Sequence, residues 1–172
     1  MAMMRPMATE GLRQGEVALD IDPGDRVDAS LRFIGKLRTP WGKGNCPHNL
    51  REARERGGKF LAVLDPEFRA GLTGLTPGQA VILLYWMDAA RRDLIVQTPS
   101  HRPQPTGTFA LRSPARPNPI SLAVTRLVSI DAAAGVLEVD GLDAFDGTPL
   151  LDIKPWIEAV DTPPVPKTGR AP

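Results

Sequence analysis

Apolar residues fall in short runs along this chain, each bounded by turn residues. Residues 29–37 (ASLRFIGKL) alternate in part between apolar and polar positions, as a half-buried strand does. FLAVL at 60–64 and AVILLYWM at 80–87 are unbroken apolar runs of strand length, and LIVQ at 94–97 and GTFALR at 107–112 follow. Residues 121–130 (SLAVTRLVSI) are rich in β-branched side chains, VLEVD at 136–140 alternates, and LLDIK at 150–154 closes the set. Helical signals are confined to HNLREARER at 48–56, whose residues favour helix, and DPEFRAGL at 65–72, with proline at its first helical position. Eighteen prolines and sixteen glycines among 172 residues leave little room for long helices. Many short strands with frequent turns predict an all-β barrel or sandwich.

The ends read differently. Residues 1–25 are polar and aperiodic and are expected to form a tail or arm, whereas 162–172 (TPPVPKTGRAP) form a proline-rich tail that pairs and packs poorly. Both ends are expected to be disordered, leaving one folded domain over 26–161.

Composition narrows the classes. Hydrophobic content of 42% and charged content of 24% are ordinary for a globular domain, and a net charge of +1 gives no general pull toward nucleic acid. The single cysteine, Cys46, can neither close an internal disulfide nor build a cysteine metal site alone. No apolar stretch approaches the roughly 20 residues that span a bilayer, and the first residues lack the apolar run of a secretory signal. A soluble, cytoplasmic protein without membrane partner or metal is expected. The two histidines, His48 and His101, are not at ligand spacing. No glycine-rich dinucleotide or phosphate loop occurs.

Four segments carry candidate chemistry. In the first, residues 107–120, prolines at 114, 117 and 119 stiffen the chain and push Arg116 and Asn118 to extended shapes. The segment then presents Arg112, Arg116 and Asn118 from a rigid loop, or is a structural turn with solvated arginines. The second, residues 141–156, places Asp143, Asp146, Asp152 and Lys154 within a dozen or so positions. Asp152 and Lys154 are two apart and share one face of a strand. The third is Tyr85-Trp86-Met87-Asp88 at a strand end, where Trp86 either stacks on a base or fills the core. The fourth is the loop Asn45-Cys46-Pro47-His48-Asn49-Leu50, a binding loop or an ordinary exposed one; Cys46 has no evident partner to make it a nucleophile.

Taken together, GTFALRSPARPNPI and, some twenty residues later, GLDAFDGTPLLDIKPW resemble the TsaA-like, or TrmO, family of S-adenosylmethionine-dependent tRNA methyltransferases. The resemblance runs from about Phe33 to Asp161. It implies a single small β-barrel with short helical insertions and a cofactor bound near a homodimer interface. It implies methylation of the exocyclic amine of threonylcarbamoyl-modified adenosine, next to the anticodon of tRNA. By motif, Arg112, Arg116, Asn118 and Leu122, then Asp140, Gly141, Leu142 and Asp143, match cofactor-binding positions. Trp86, Met87 and Asp88 fall at the family's strand-end contacts, and Pro47, His48, Asn49 and Leu50 in its early binding loop. Ser121, His48 and Trp156 depart from residues common in the family, and the extra C-terminal domain of some members is not expected here.

S-adenosyl-L-methionine needs an anion for its ammonium, for which Asp143 is suited, and a cation for its carboxylate, for which Arg112 or Arg116 is suited. The weakly nucleophilic amine needs a hydrogen-bond acceptor as the new bond forms, and Asp146, Asp152 or a backbone carbonyl qualifies. Lys154, Arg91 and Arg92 are candidate substrate contacts. Arg51, Arg54, Arg56, His101 and Arg102 are further candidates to meet RNA phosphates. A cofactor-binding sensor without catalysis, and a methyltransferase for a small molecule or another RNA, are the competing readings.

Overall fold

A computed structural model describes residues 11–25, 27–100, 102 and 104–165; His101 and the final residues of the expected C-terminal tail lie outside this set. The strands are β1 (Val17–Ala18), β2 (Gly35–Arg38), β3 (Phe60–Leu64), β4 (Ala80–Trp86), β5 (Leu94–Gln97), β6 (Thr106–Gly107), β7 (Ile120–Asp131), β8 (Val136–Val139) and β9 (Pro149–Pro155). Two short α-helices, α1 (Leu50–Arg56) and α2 (Glu158–Asp161), and 3-10 turns at Pro66–Leu72 and Thr108–Ala110 complete the elements.

Six strands close into an antiparallel barrel in the order β2-β3-β8-β7-β4-β9. The barrel forms because alternate residues of each strand are apolar and point inward. Val81, Leu83 and Tyr85 of β4 are buried, and so are their counterparts Ala123 and Leu127 on β7, Leu137 and Val139 on β8, and Leu37 on β2. Each fully buried aliphatic side chain of this kind contributes about 1.5–3 kcal/mol. Closure also leaves these six strands without an open edge.

A second sheet, β1-β5-β6, stands beside the barrel. Val17 pairs with Val96 and Ala18 with Leu94, so residues 17–18 of the N-terminal segment add a strand to this sheet. The Glu16 carboxylate fixes the approach: it accepts from Arg13 and from the Thr98 amide, and its side chain is only 2% exposed.

The observed strands depart from the sequence pattern in two places. The run at 29–37 becomes a strand only from Gly35. A Cβ there would lie 2.1 Å from the Val63 carbonyl oxygen, so close pairing of β2 with β3 begins where glycine permits it. The run at 107–112 leaves strand geometry after Gly107. The Thr108 hydroxyl donates to the Leu94 carbonyl, while the carbonyls of Thr108 and Leu111 accept from Arg116. Carbonyls so occupied cannot continue a ladder.

One rim of the barrel gathers the candidate loops. Trp86 pairs with Ile120 and Tyr85 with Leu150, which brings the end of β4 to the starts of β7 and β9. Phe60 pairs with Val139, so the loop leaving β8 emerges on the same side. Hydrogen bonds join these loops: Met87 N to the Pro119 carbonyl (2.8 Å), Thr39 Oγ1 to the Ala144 carbonyl (2.8 Å) and Trp41 Nε1 to the Leu142 carbonyl (2.7 Å).

Candidate functional site

Opposite charges meet around Tyr85 at this rim. Its ring is buried, 3% exposed, at the inner end of β4. Its hydroxyl donates to Asp143 Oδ1 at 3.1 Å. Arg112 and Cys46 are close enough to act electrostatically on the same phenol. Among the described residues no donor meets Asp143 Oδ2. Arg112 spends one nitrogen on the Leu122 carbonyl, at 2.8 Å, and is otherwise exposed. The rim therefore offers a carboxylate oxygen and a guanidinium together. Burial first, and then the Asp143 charge, push the Cys46 thiol up to about 11, so it is a protonated wall group rather than a nucleophile.

The segment before Asp143 is locked by α1. Asn49 caps this helix, accepting from the Glu52 amide at 2.9 Å, and the Glu52 carboxylate reaches back to the His48 amide at 2.8 Å. Arg54 extends from the helix to Asp140 (3.0 and 3.2 Å) and to the Val124 carbonyl (3.0 Å). Asp140 also accepts from the Thr125 hydroxyl and the Arg126 amide. Burial alone would raise the pKa of Asp140; these three donors outweigh it and hold the carboxyl below its usual range. Gly141 lies directly beneath, where a Cβ would come within 2.8 Å of Arg54 Cγ and 3.6 Å of Leu50 Cδ1.

The proline-rich loop is pinned from three sides. Gln97 Nε2 donates to Thr108 Oγ1 (2.9 Å) and to the Ala115 carbonyl (2.7 Å). Arg116 closes the 3-10 turn by bonding to the carbonyls of Thr108 and Leu111. Arg92 donates to the Pro117 carbonyl (2.7 Å), the Pro23 carbonyl (3.2 Å) and Asn118 Oδ1 (3.4 Å), and lies 5.5 Å from the centre of the Trp86 ring. An open cleft of about 360 Å³ runs along this loop, lined by Phe109, Arg116, Pro117 and Asn118.

Comparison with known proteins agrees with this architecture. Residues 37–162 match the tRNA-methyltransferase O N-terminal domain. The chain belongs to this family. It is 41% identical over 133 residues to a probable S-adenosyl-L-methionine-binding protein of Archaeoglobus fulgidus, a match covering 77% of this chain and 35% of the relative. VirR of Rhizobium radiobacter, a probable S-adenosyl-L-methionine-binding protein, is 37% identical over 151 residues, covering 87% and 82%. A tRNA (adenine(37)-N6)-methyltransferase of Mus musculus is 44% identical over 134 residues, covering 76% and 30%. A crystal structure of TrmO from Pseudomonas aeruginosa superposes with a TM-score of 0.61 at 30% identity, covering 84% of this chain and 61% of that one. The chain thus spans about a third of the Archaeoglobus and mouse proteins and somewhat under two thirds of the solved TrmO.

Within this TrmO N-terminal domain the expected residues divide into groups. Asp143 and Arg112 both lie within electrostatic reach of Tyr85 at the rim. Asp140, Gly141, Asn49 and Leu50 form its scaffold, with Pro47 and Leu142 buried beside them and His48 exposed. Met87 packs on the core and Asp88 is exposed. Asp146 ties the turn to β2: its Oδ1 accepts from the Thr39 amide (3.1 Å), and its Oδ2 pairs with Arg38 (3.3 Å). Asp152 and Lys154 do share a face. They lie on the outer wall of β9 opposite Leu84 and Ile82, paired with each other at 2.7 Å.

The basic side chains expected to meet phosphates mostly have carboxylates already. Arg51 pairs with Glu55, Arg54 with Asp140, Arg56 with Glu52 and Arg91 with Asp93, and Arg92 is committed to the loop. Thr125, Gln97 and Trp41 were not singled out from the sequence as parts of the site; Arg54 was expected only as a phosphate contact, and Tyr85 was named within the strand-end segment without a role of its own. One usable signal existed: Tyr85 sits at an inward position of β4, where a phenol needs a partner.

Proposed function

We propose that this protein is an S-adenosyl-L-methionine-dependent methyltransferase acting on tRNA in the cytoplasm. Its acceptor in this reading is the exocyclic amine of threonylcarbamoyl-modified adenosine next to the anticodon. The observation that carries the reading is the Asp143–Arg112 arrangement around Tyr85. It supplies an anion and a cation of the types that an amino-acid ammonium and carboxylate require, within a barrel of the TrmO family. The mouse relative's name supports the choice of acceptor.

The residues fit the cofactor. Asp143 Oδ2 holds the ammonium and the Arg112 fork the carboxylate, and the close-packed Gly141–Leu142 backbone forms a wall for the nucleoside. When bound, the sulfonium supplies an activated methyl group, and the protein's share of the work is then positioning. The cleft along Phe109 and Arg116 gives the acceptor base an exposed ring, 80% accessible, and a cation beside it. The proton acceptor is drawn from Asp146, Asp152 and a backbone carbonyl.

A second copy of the chain belongs to this reading. Outward residues Ile120 and Leu122 of β7 are 39% and 38% exposed, beside half-buried Ile82 and Leu84 of β4. This apolar wall lies next to the Arg112–Leu122 bond, and a homodimer covers it.

A sensor that binds the cofactor without transfer is the second reading, favoured by the pairing of most candidate arginines with carboxylates. Transfer of labelled methyl to tRNA bearing threonylcarbamoyladenosine, but not to unmodified tRNA, is the expected result. Retention of labelled cofactor with no transfer overturns the methyltransferase reading in favour of the sensor. Asp146→Asn and Asp152→Asn assign the proton acceptor; wild-type turnover in both removes the two carboxylates from that role.

A further inference from the structure

Tyr85 is the sole tyrosine of the chain, and it occupies an unusual place. It lies at the inner face of β4 in the register position opposite Leu150 and Ser121, among aliphatic core residues. A phenylalanine would fill such a position without bringing a polar atom inside. The hydroxyl is nevertheless present and has one partner, Asp143 Oδ1, at 3.1 Å. Asp143 belongs to the loop after β8, 58 positions away in sequence, so the bond joins the barrel interior to the loop that carries the candidate ammonium acceptor.

We propose that Tyr85 is the positioning residue for Asp143, holding Oδ1 from inside the barrel so that Oδ2 faces the cofactor's ammonium. This rests on the cofactor-binding reading given above. The geometry limits what else the phenol can do. Burial, then the charge and hydrogen bond of Asp143, drive its ionisation far above the ordinary tyrosine range, so it stays protonated and acts as a donor. It is neither a base nor a nucleophile. The hydrogen bond restricts the carboxylate to one orientation before ligand arrives, and pre-organisation of this kind raises affinity by removing an ordering cost at binding. It also keeps one oxygen of a half-buried carboxylate satisfied from inside the barrel.

The test compares three ligands of the full-length protein by calorimetry. S-adenosylmethionine and S-adenosylhomocysteine carry the amino-acid end, whereas methylthioadenosine has the nucleoside without it. Tyr85→Phe is expected to weaken the first two by about tenfold and to leave methylthioadenosine within about twofold. Asp143→Asn is expected to show the same selectivity, and the double variant to be no weaker than Asp143→Asn alone. Equal weakening of all three ligands by Tyr85→Phe means a merely structural hydroxyl and overturns the proposal. So does an unchanged Tyr85→Phe alongside a selective Asp143→Asn. If Asp143→Asn itself shows no selectivity, the ammonium reading falls, and the proposal with it. A second measurement needs no core substitution. With 3-fluorotyrosine incorporated, the protein has one fluorine site, at Tyr85. Its resonance should shift with S-adenosylhomocysteine and not with methylthioadenosine; the same shift with both overturns the proposal.

Discussion

Arg54 lies so close over Gly141 that a single added carbon on the glycine would stand 2.8 Å from Arg54 Cγ. The helix and the loop that carries Asp143 are thus one packed unit, joined again by the Arg54–Asp140 ion pair.

Gly141→Ala should therefore force α1 outward. The expected cost is about 1–3 kcal/mol of stability, the usual range for overpacking. Thermal melting reads the loss, and cofactor affinity should fall with it. A variant as stable as the parent would mean that the Arg54 stem swings aside freely.

Arg54→Ala removes the clamp from the other side. Arg54 and Asp140 are 40% and 35% exposed, so solvent screens the pair and the expected loss is about 1 kcal/mol. The Val124 carbonyl and Asp140 Oδ2 lose their Arg54 donor, while Asp140 Oδ1 keeps those of Thr125 and Arg126. Arg54→Lys should recover little, because one ammonium cannot serve both acceptors as the planar fork does.

Stability should depend on acid in a definite direction. Asp140 titrates below the ordinary aspartate value of about 3.9, as do Asp93, Glu16, Glu52 and Glu67 relative to their own ordinary values. Such groups stabilise the fold above the unfolded-state pKa, and the contribution is lost as pH falls through the folded-state value. Melting temperature should thus hold between pH 5 and 8 and drop below about 4. Asp140→Asn should melt lower at neutral pH and show a shallower acid decline.

Cys46 should be unreactive. With its thiol near 11, alkylation at pH 7.5 should run far slower than for a free cysteine, and Cys46→Ser should bind cofactor as the parent does. Rapid labelling would place the thiol in open solvent.

Arg92→Lys should loosen the proline-rich loop. The guanidinium holds Pro117, Pro23 and Asn118 while lying over Trp86, and lysine cannot span those partners. Faster amide hydrogen exchange at Ala115, Arg116 and Asn118 is the expected signature.

Much of this was legible in the sequence. An unbroken apolar run marked β4, β-branched side chains marked β7 and alternation marked β8, and the motif around residues 141–156 marked the loop at the rim. The missing parts were long-range. Nothing local pairs Arg54 with Asp140 86 positions on, or Tyr85 with Asp143 58 positions on. Of the arginines on HNLREARER only Arg54 finds its carboxylate across the fold; the pairs Arg51–Glu55 and Glu52–Arg56 are four apart on the helix and were a local signal that the reading as open positive charge passed over. Thr108 read as part of a strand because the Arg116 side chain that claims its carbonyl comes eight residues later.

The register slip between β4 and β9 has a consequence for how motifs are transferred between proteins. Leu84 faces Asp152 while Tyr85 faces Leu150, so Leu151 is an extra residue in the strand. It resets the phase of the strand midway: Leu150 and Ile153 both turn to the core, and Asp152 and Lys154 both turn out. The same residues paired without that bulge would turn Asp152 inward and Ile153 outward. The side of the wall on which a carboxylate stands is thus written in the register of the motif as much as in its residues.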